Sequence, residues 1–135
     1  MIKYFAAYAS TAIVMVALDL LWLGVLAKPL YQQGIGHLMA DRPNIPAALL
    51  FYAIFPVGLM VFAVAPYASA SGWAETLLSA ALFGFVAYAT YDLSNLATLR
   101  DWPVGLSFID IAWGTVVSAT STAAGKFALN WFAAG

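Results

Sequence analysis

Apolar residues fill four long stretches of the chain, and each stretch is long enough to cross a bilayer as an α-helix. A membrane-spanning helix needs about 20 predominantly apolar residues. The stretches cover about residues 4–26, 45–66, 74–99 and 107–132. The alternating pattern of a membrane β-barrel does not recur along the chain. The sequence therefore predicts an all-α membrane protein, an antiparallel bundle of four transmembrane helices joined by short loops.

Polar residues at the ends of these stretches predict where two of the helices begin. Asn44 is expected to cap the second helix, with Pro46 in its first turn. Ser107 is expected to cap the fourth helix, with Asp110 three residues later, as in a capping box. The first helix is expected to stop before Lys28.

Composition strengthens the membrane interpretation and excludes several other classes. The chain has 135 residues, is 64% hydrophobic and is only 8% charged, whereas soluble domains are about one quarter charged. We therefore expect one transmembrane domain over residues 1–135. A net charge of -1 and the lack of a basic cluster argue against nucleic acid as a partner. The absence of cysteine excludes disulfide and thiolate chemistry.

Three aspartates interrupt the apolar stretches. Asp19 and Asp92 each lie about 10 Å before the end of their helices, and Asp110 lies about 5 Å after the start of its helix, at helical rise. In an antiparallel bundle these three positions approach the same membrane face. A charge that faces lipid costs about 2.5–3.5 kcal/mol on insertion scales. The sequence thus predicts that the three carboxyl groups point into one interior cavity.

Aromatic and polar residues recur on the helix faces that carry these aspartates. The spacing Asp-x-x-Trp occurs in the first and fourth helices and places a carboxylate and an indole one turn apart. The third helix carries a polar stripe at steps of three and four residues. Gly114 and Ser118 are expected as small residues at a helix contact. The predicted ligand-binding residues are Asp19, Trp22, Tyr88, Tyr91, Asp92, Asn95, Asp110 and Trp113.

Each aspartate also has a structural explanation that needs no ligand. Asp110 would serve as a capping residue next to Ser107. Asp92 and Asn95 would hold neighbouring helices together by hydrogen bonds worth about 1 kcal/mol each. Asp19 lies late in its helix, where the helix dipole disfavours an anion, so it needs a hydrogen-bonding partner, a proton or water.

The sequence lacks the residue combinations that metal centres, hydrolases and nucleotide-binding sites require. His37 is the one histidine, and the Glu-x-x-His pairs of carboxylate-bridged di-iron bundles do not occur. Serine–histidine–carboxylate sets, phosphate loops and dinucleotide fingerprints are also absent from the sequence. Three aspartates alone are a weak signal for magnesium or calcium. We therefore predict neither a metal site nor a cofactor.

Three blocks of sequence resemble a known family: DLLWLG at 19–24, YDLSNLATLRDWP at 91–103 and IDIAWGT at 109–115. They are similar to the bacterial membrane family catalogued as domain of unknown function 2177, across essentially the whole chain. The resemblance implies a four-span protein of the bacterial inner membrane and brings no established activity. Some members are encoded near genes for fatty-acid modification, which points toward lipids. The residues shared with the family map to Asp19, Trp22, Tyr91, Asp92, Asn95, Trp102, Pro103, Asp110, Trp113 and Gly114.

These observations favour a multi-pass membrane protein with an acidic, aromatic-walled pocket. Carboxylates and aromatic faces both attract positive charge, so the expected ligand is a lipid-like or cationic small molecule that is bound or transported. Four helices are few for a transporter, so transport would call for a homo-oligomer. One alternative is a lipid-modifying enzyme in which two of the candidate catalytic residues Asp19, Asp92 and Asp110 act as acid and base. Another is an accessory or structural subunit.

Overall fold

The computed structural model describes residues 1–134, and this range is mostly helical and contains no strand. The helices are α1 (Ile2–Leu26), α2 (Lys28–Ile35), α3 (Ile45–Tyr67), α4 (Trp73–Thr98) and α5 (Val104–Ala134), with a 3₁₀ turn at Gly36–Leu38. Four of them, α1, α3, α4 and α5, are long and apolar enough to cross a membrane. The predicted all-α membrane bundle is confirmed. Gly135, the last residue of the predicted domain, lies outside the described residues.

The start of α3 agrees with its sequence signals. Asn44 precedes the helix, and its side-chain Oδ1 accepts the Ala47 N–H at 3.1 Å. This bond satisfies one of the N–H groups that a helix leaves free at its first turn. The predicted Asn44 cap is confirmed.

The start of α5 differs from the prediction by three residues, the largest difference among the four spans. The Pro103 carbonyl already accepts the Ser107 N–H at 3.2 Å, so the helix begins at Val104. Ser107 lies within the helix, and its Oγ donates to the same Pro103 carbonyl at 2.8 Å. The predicted Ser107 cap is therefore wrong, and so is the capping role of Asp110, which lies well beyond the first turn. A proline just before the helix begins it instead.

The connection between the first two spans contains a helix that the sequence analysis did not predict. Helix α2 begins at Lys28 with Pro29 in its first turn, a position where proline is tolerated because the N–H is free there anyway. Gly34 of α2 lies against Pro103 and Leu106, and a Cβ at Gly34 would come within 2.9 Å of the Leu106 side chain. Helix α2 therefore packs against the beginning of α5.

Helix α5 is the central element of the bundle and packs along α1 on one side and α4 on the other. Small residues allow this close approach. A Cβ at Gly84 of α4 would collide with the Gly114 carbonyl and the Ser118 side chain of α5. Membrane helices commonly use small residues in this way, because van der Waals packing replaces the hydrophobic effect in lipid. The expected contact role of Gly114 and Ser118 is confirmed.

Helix α3 is irregular in its second half. Pro56 removes one backbone N–H from the helix, and the π-helical segment Met60–Val64 follows it. The part before this segment packs mainly on α1, whereas Met60–Val64 packs on both α4 and α5. Aromatic side chains bridge the first part to α4, with ring centroids 5.2 Å apart for Phe55 and Phe83.

A buried lysine links the end of α3 to α5 by hydrogen bonds. Lys126 of α5 has no solvent-exposed surface, and its Nζ donates to the carbonyls of Tyr67 and Ser69 at 2.5 Å each. Carbonyls at a helix C-terminus lack intrahelical donors and attract cations. Lys126 thus caps α3 from a neighbouring helix.

Replacing Lys126 by methionine should destabilise the bundle, because methionine fills similar space but donates no hydrogen bond. We expect Lys126→Met to lower the free energy of unfolding by about 1–3 kcal/mol, measured by denaturation in detergent. Lys28→Met, at an exposed position, is the matched control and should have little effect. Equal stability of the two variants would show that the cap contributes nothing.

Candidate functional site

A cavity of about 540 Å³ lies between the four spans near the end of the bundle where α5 begins. Its wall includes Asp19 of α1, Asp92 of α4 and Asp110 of α5. Helix α2 adds Tyr31 and Ile35 to the wall. Six of the eight predicted ligand-binding residues line this cavity: Asp19, Tyr88, Tyr91, Asp92, Asp110 and Trp113.

The other two predicted residues do not line the cavity. Trp22 lies behind Trp113, with the two indole rings stacked at a centroid distance of 4.5 Å and an angle of 5°. It belongs to the π-helical end of α1, a type of local distortion that is frequent at functional sites. Asn95 is half-buried one turn beyond Asp92, outside the cavity wall.

Asp19 is held by two aromatic donors. Tyr52 Oη donates to its Oδ2 at 2.7 Å, and Trp113 Nε1 donates to its Oδ1 at 2.8 Å. Asp19 is only 4% exposed, so these bonds replace the water that the carboxyl group would otherwise bind. They also connect α1, α3 and α5 through one side chain.

Asp110 is held by a chain of hydrogen bonds that begins at Trp22. Trp22 Nε1 donates to Tyr31 Oη at 3.1 Å, and Tyr31 Oη donates to Asp110 Oδ1 at 2.6 Å. Burial and the bond to Asp110 raise the pKa of the Tyr31 phenol above its ordinary value. Tyr31 therefore stays protonated at neutral pH and remains a donor.

Asp92 differs from the other two aspartates because part of its hydrogen-bonding capacity is unused. It is 2% exposed, and its Oδ2 has no hydrogen-bond partner within residues 1–134. Its carboxyl group lies beside that of Asp110. The indole N–H of Trp102, another residue of the cavity wall, also lacks an acceptor within this range. Unsatisfied buried polar groups are rare in native proteins. Of the buried side-chain polar atoms that lack a partner within residues 1–134, these two lie in the cavity wall, and the other four are hydroxyl oxygens elsewhere in the bundle.

Three residues of the cavity wall with an aromatic N–H or O–H group were not among the predicted ligand-binding residues: Tyr31, Tyr52 and Trp102. Tyr52 lies in a span that carries no charged residue, so no polar stripe identified it. The one signal was the phenol itself, because a buried tyrosine hydroxyl usually needs a partner. Trp102 resembled an ordinary aromatic residue at the membrane interface.

The chain also matches a family of membrane proteins. The model of the family described as "Predicted membrane protein (DUF2177)" matches residues 4–127. The chain belongs to this family. The resemblance expected from DLLWLG, YDLSNLATLRDWP and IDIAWGT is confirmed, since all three blocks lie within the matched range. Membership of DUF2177 identifies a membrane protein and assigns no activity to it.

Comparisons with curated proteins and with solved structures found no further relative. Neither the curated proteins nor the solved structures contain a match to the chain. Within residues 1–134, no group of three or more histidine, aspartate or glutamate side chains is arranged to hold a metal ion. Residue roles in this DUF2177 protein therefore depend on the geometry described above.

The bond from Tyr52 to Asp19 can be tested through the free energy of unfolding. Tyr52→Phe removes one donor from a carboxyl group in the protein interior and should cost about 1.5–3 kcal/mol, the value of a hydrogen bond to a charged group. The cost should largely vanish in an Asp19→Leu background, where no acceptor remains. Tyr8→Phe is the matched control, because Tyr8 Oη donates to the neutral Ala53 carbonyl at 2.8 Å. The interpretation fails if Tyr52→Phe costs the same with and without Asp19.

Proposed function

We propose that the protein binds a lipid-like molecule with a cationic head group in the cavity. The head group lies at Asp92 and Asp110, and the apolar part lies along the aromatic wall. The observation that supports this most strongly is the state of Asp92, which is 2% exposed and has an oxygen without a hydrogen-bond partner among the described residues 1–134.

A positive charge at this point supplies what the two neighbouring carboxyl groups lack. An ionised carboxylate accepts hydrogen bonds and donates none, so Asp92 and Asp110 do not satisfy each other as anions. Lys126 is 16 residues from Asp110 along α5, about 24 Å at helical rise, and its Nζ is bonded to carbonyls of another helix end. An ammonium group of a ligand provides both the donors and the compensating charge.

The rest of the cavity suits an apolar chain. Its wall is mostly hydrocarbon and aromatic, with Phe51, Phe55 and Tyr88 among the lining residues. Its volume of about 540 Å³ falls within the range of about 300–1,000 Å³ typical of small-molecule sites. Aromatic faces also stabilise a nearby cation.

The position of the wall residues favours a ligand that arrives from the bilayer. Phe51 of α3 and Tyr91 of α4 line the cavity and are 39% and 54% exposed. We expect the ligand to enter past these two exposed aromatic side chains.

The proposal places the chain in the inner membrane of a bacterium as a multi-pass protein. If the ligand is also transported, we expect a homo-oligomer, since four spans are few for alternating access.

The adjacent carboxyl groups of Asp92 and Asp110 favour a second candidate, a lipid-modifying enzyme. Two carboxyl groups at this proximity bond to each other only when one carries a proton. A protonated and an ionised carboxyl group side by side form an acid and base pair. Recovery of the bound amphiphile in chemically altered form would favour the enzyme over the binding protein.

The binding proposal is tested with radiolabelled dodecylamine and the protein in lipid nanodiscs. Dodecylamine should bind the wild-type protein more tightly than dodecanol, which has the same chain length and no positive charge. Asp92→Asn should weaken dodecylamine binding about tenfold or more, the value of a charge-assisted hydrogen bond. Dodecanol binding should change little.

Asp41→Asn is the matched control, since it makes the same chemical change at an exposed carboxylate. It should leave the affinity for both compounds unchanged. The proposal is contradicted if wild-type protein and Asp92→Asn are both folded and bind dodecylamine with equal affinity.

A further inference from the structure

Trp102 occupies a rigid position between α4 and α5. The residue before it, Asp101, has a φ of 60°, in the left-handed region that non-glycine residues seldom adopt. The residue after it, Pro103, has a fixed φ and precedes the first turn of α5. Pro103 also lies next to Gly34, where an added Cβ would be 3.1 Å from its ring. The backbone on both sides of Trp102 is therefore constrained.

The indole ring is constrained as well. Tyr91 meets it edge to face, with ring centroids 5.8 Å apart and an angle of 79°. Such pairs are favourable and orient both rings. Backbone strain that a structure maintains is a reason to look for a function at that position.

The N–H group of Trp102 differs from those of the two nearby tryptophans. Trp22 donates to Tyr31 Oη at 3.1 Å, and Trp113 donates to Asp19 Oδ1 at 2.8 Å. Within residues 1–134 the buried Nε1 of Trp102 has no acceptor. A buried tryptophan N–H usually finds a partner, and leaving one unpaired destabilises the fold. An acceptor atom of a ligand would supply the hydrogen-bond partner that this fixed donor in the cavity wall lacks.

We infer that Trp102 is a specificity-determining residue that donates its indole N–H to an oxygen atom of the ligand's head group. This inference rests on the proposed function, in which Asp92 binds the cationic part of the same head. The cavity wall then presents one unused acceptor and one unused donor. The matching ligand class is an amphiphile whose head carries an amine and a nearby oxygen acceptor, such as an amino ester or an amino alcohol. A plain alkylamine satisfies only the Asp92 contact.

The inference is tested with two probes in lipid nanodiscs, dodecylamine and the dodecyl ester of glycine, which adds a carbonyl oxygen beside the amine. Wild-type protein should bind the ester about fivefold more tightly, the value of one neutral hydrogen bond. Trp102→Phe should abolish this preference, so that the two probes bind with similar affinity. Trp131→Phe, at a residue that is 68% exposed, is the matched control and should retain the preference.

A second measurement needs no variant. In wild-type protein labelled with ¹⁵N-tryptophan, the Trp102 indole N–H resonance should shift on addition of the ester and much less on addition of dodecylamine. The role of Trp102 is overturned if the ester preference survives Trp102→Phe, or if its resonance responds equally to both probes.

Failure of the proposed function gives a different result. Asp92→Asn should weaken both probes, because both carry the amine. If Asp92→Asn leaves the affinity for both probes unchanged, the cationic site at Asp92 is wrong, and the inference about Trp102 falls with it. If wild-type protein shows no ester preference while Asp92→Asn weakens the binding of both probes, only the inference about Trp102 is wrong and the Asp92 site stands.

Discussion

The pairing of buried carboxyl groups with aromatic N–H and O–H donors is the constraint on which the cavity end of the bundle depends. A carboxyl group inside a membrane protein must replace its hydration with hydrogen bonds. Tyrosine and tryptophan supply such donors on side chains that are otherwise compatible with lipid. Asp19 joins α1, α3 and α5 through Tyr52 and Trp113. Tyr31 joins α2 to α5 through Asp110, which gives α2 a fixed place beside the cavity.

The need of buried polar groups for hydrogen-bond partners also separates the residues of the site into two kinds. Asp19 and Asp110 have donors from the protein, whereas Asp92 Oδ2 and Trp102 Nε1 have no partners within residues 1–134. Each unpaired group costs stability. Groups that a protein maintains at such a cost are commonly functional, because binding sites trade stability for the ability to bind. On this account the satisfied aspartates form the frame, and the two unsatisfied groups of the cavity wall form the contact points for a ligand.

Much of the fold was predictable from the sequence because span length and apolar content are strong constraints in a membrane. The start of α3 followed from Asn44, and the inward position of the aspartates followed from the cost of facing lipid. The role of Ser107 was not predictable from its spacing to Asp110, because Pro103 starts α5 one turn earlier. The partners of the aspartates were also missed. Tyr52 lies in an almost wholly apolar span and Tyr31 lies outside the spans, so periodicity gave no indication of which carboxyl group either would reach.

The central claim, that Asp19 is part of the frame and Asp92 is kept for a ligand, is tested most directly by unfolding the ligand-free protein in detergent. Asp19→Asn replaces one of the two accepting oxygens by an NH₂ group, which donates and does not accept. Tyr52 or Trp113 then loses its acceptor, so we expect a loss of about 2 kcal/mol in the free energy of unfolding. Asp92→Asn removes a carboxyl group with an unpaired oxygen, so we expect no loss and a gain if the desolvation cost of the charge disappears. The account is contradicted if Asp92→Asn destabilises the protein as much as Asp19→Asn, since Asp92 would then be a packing residue.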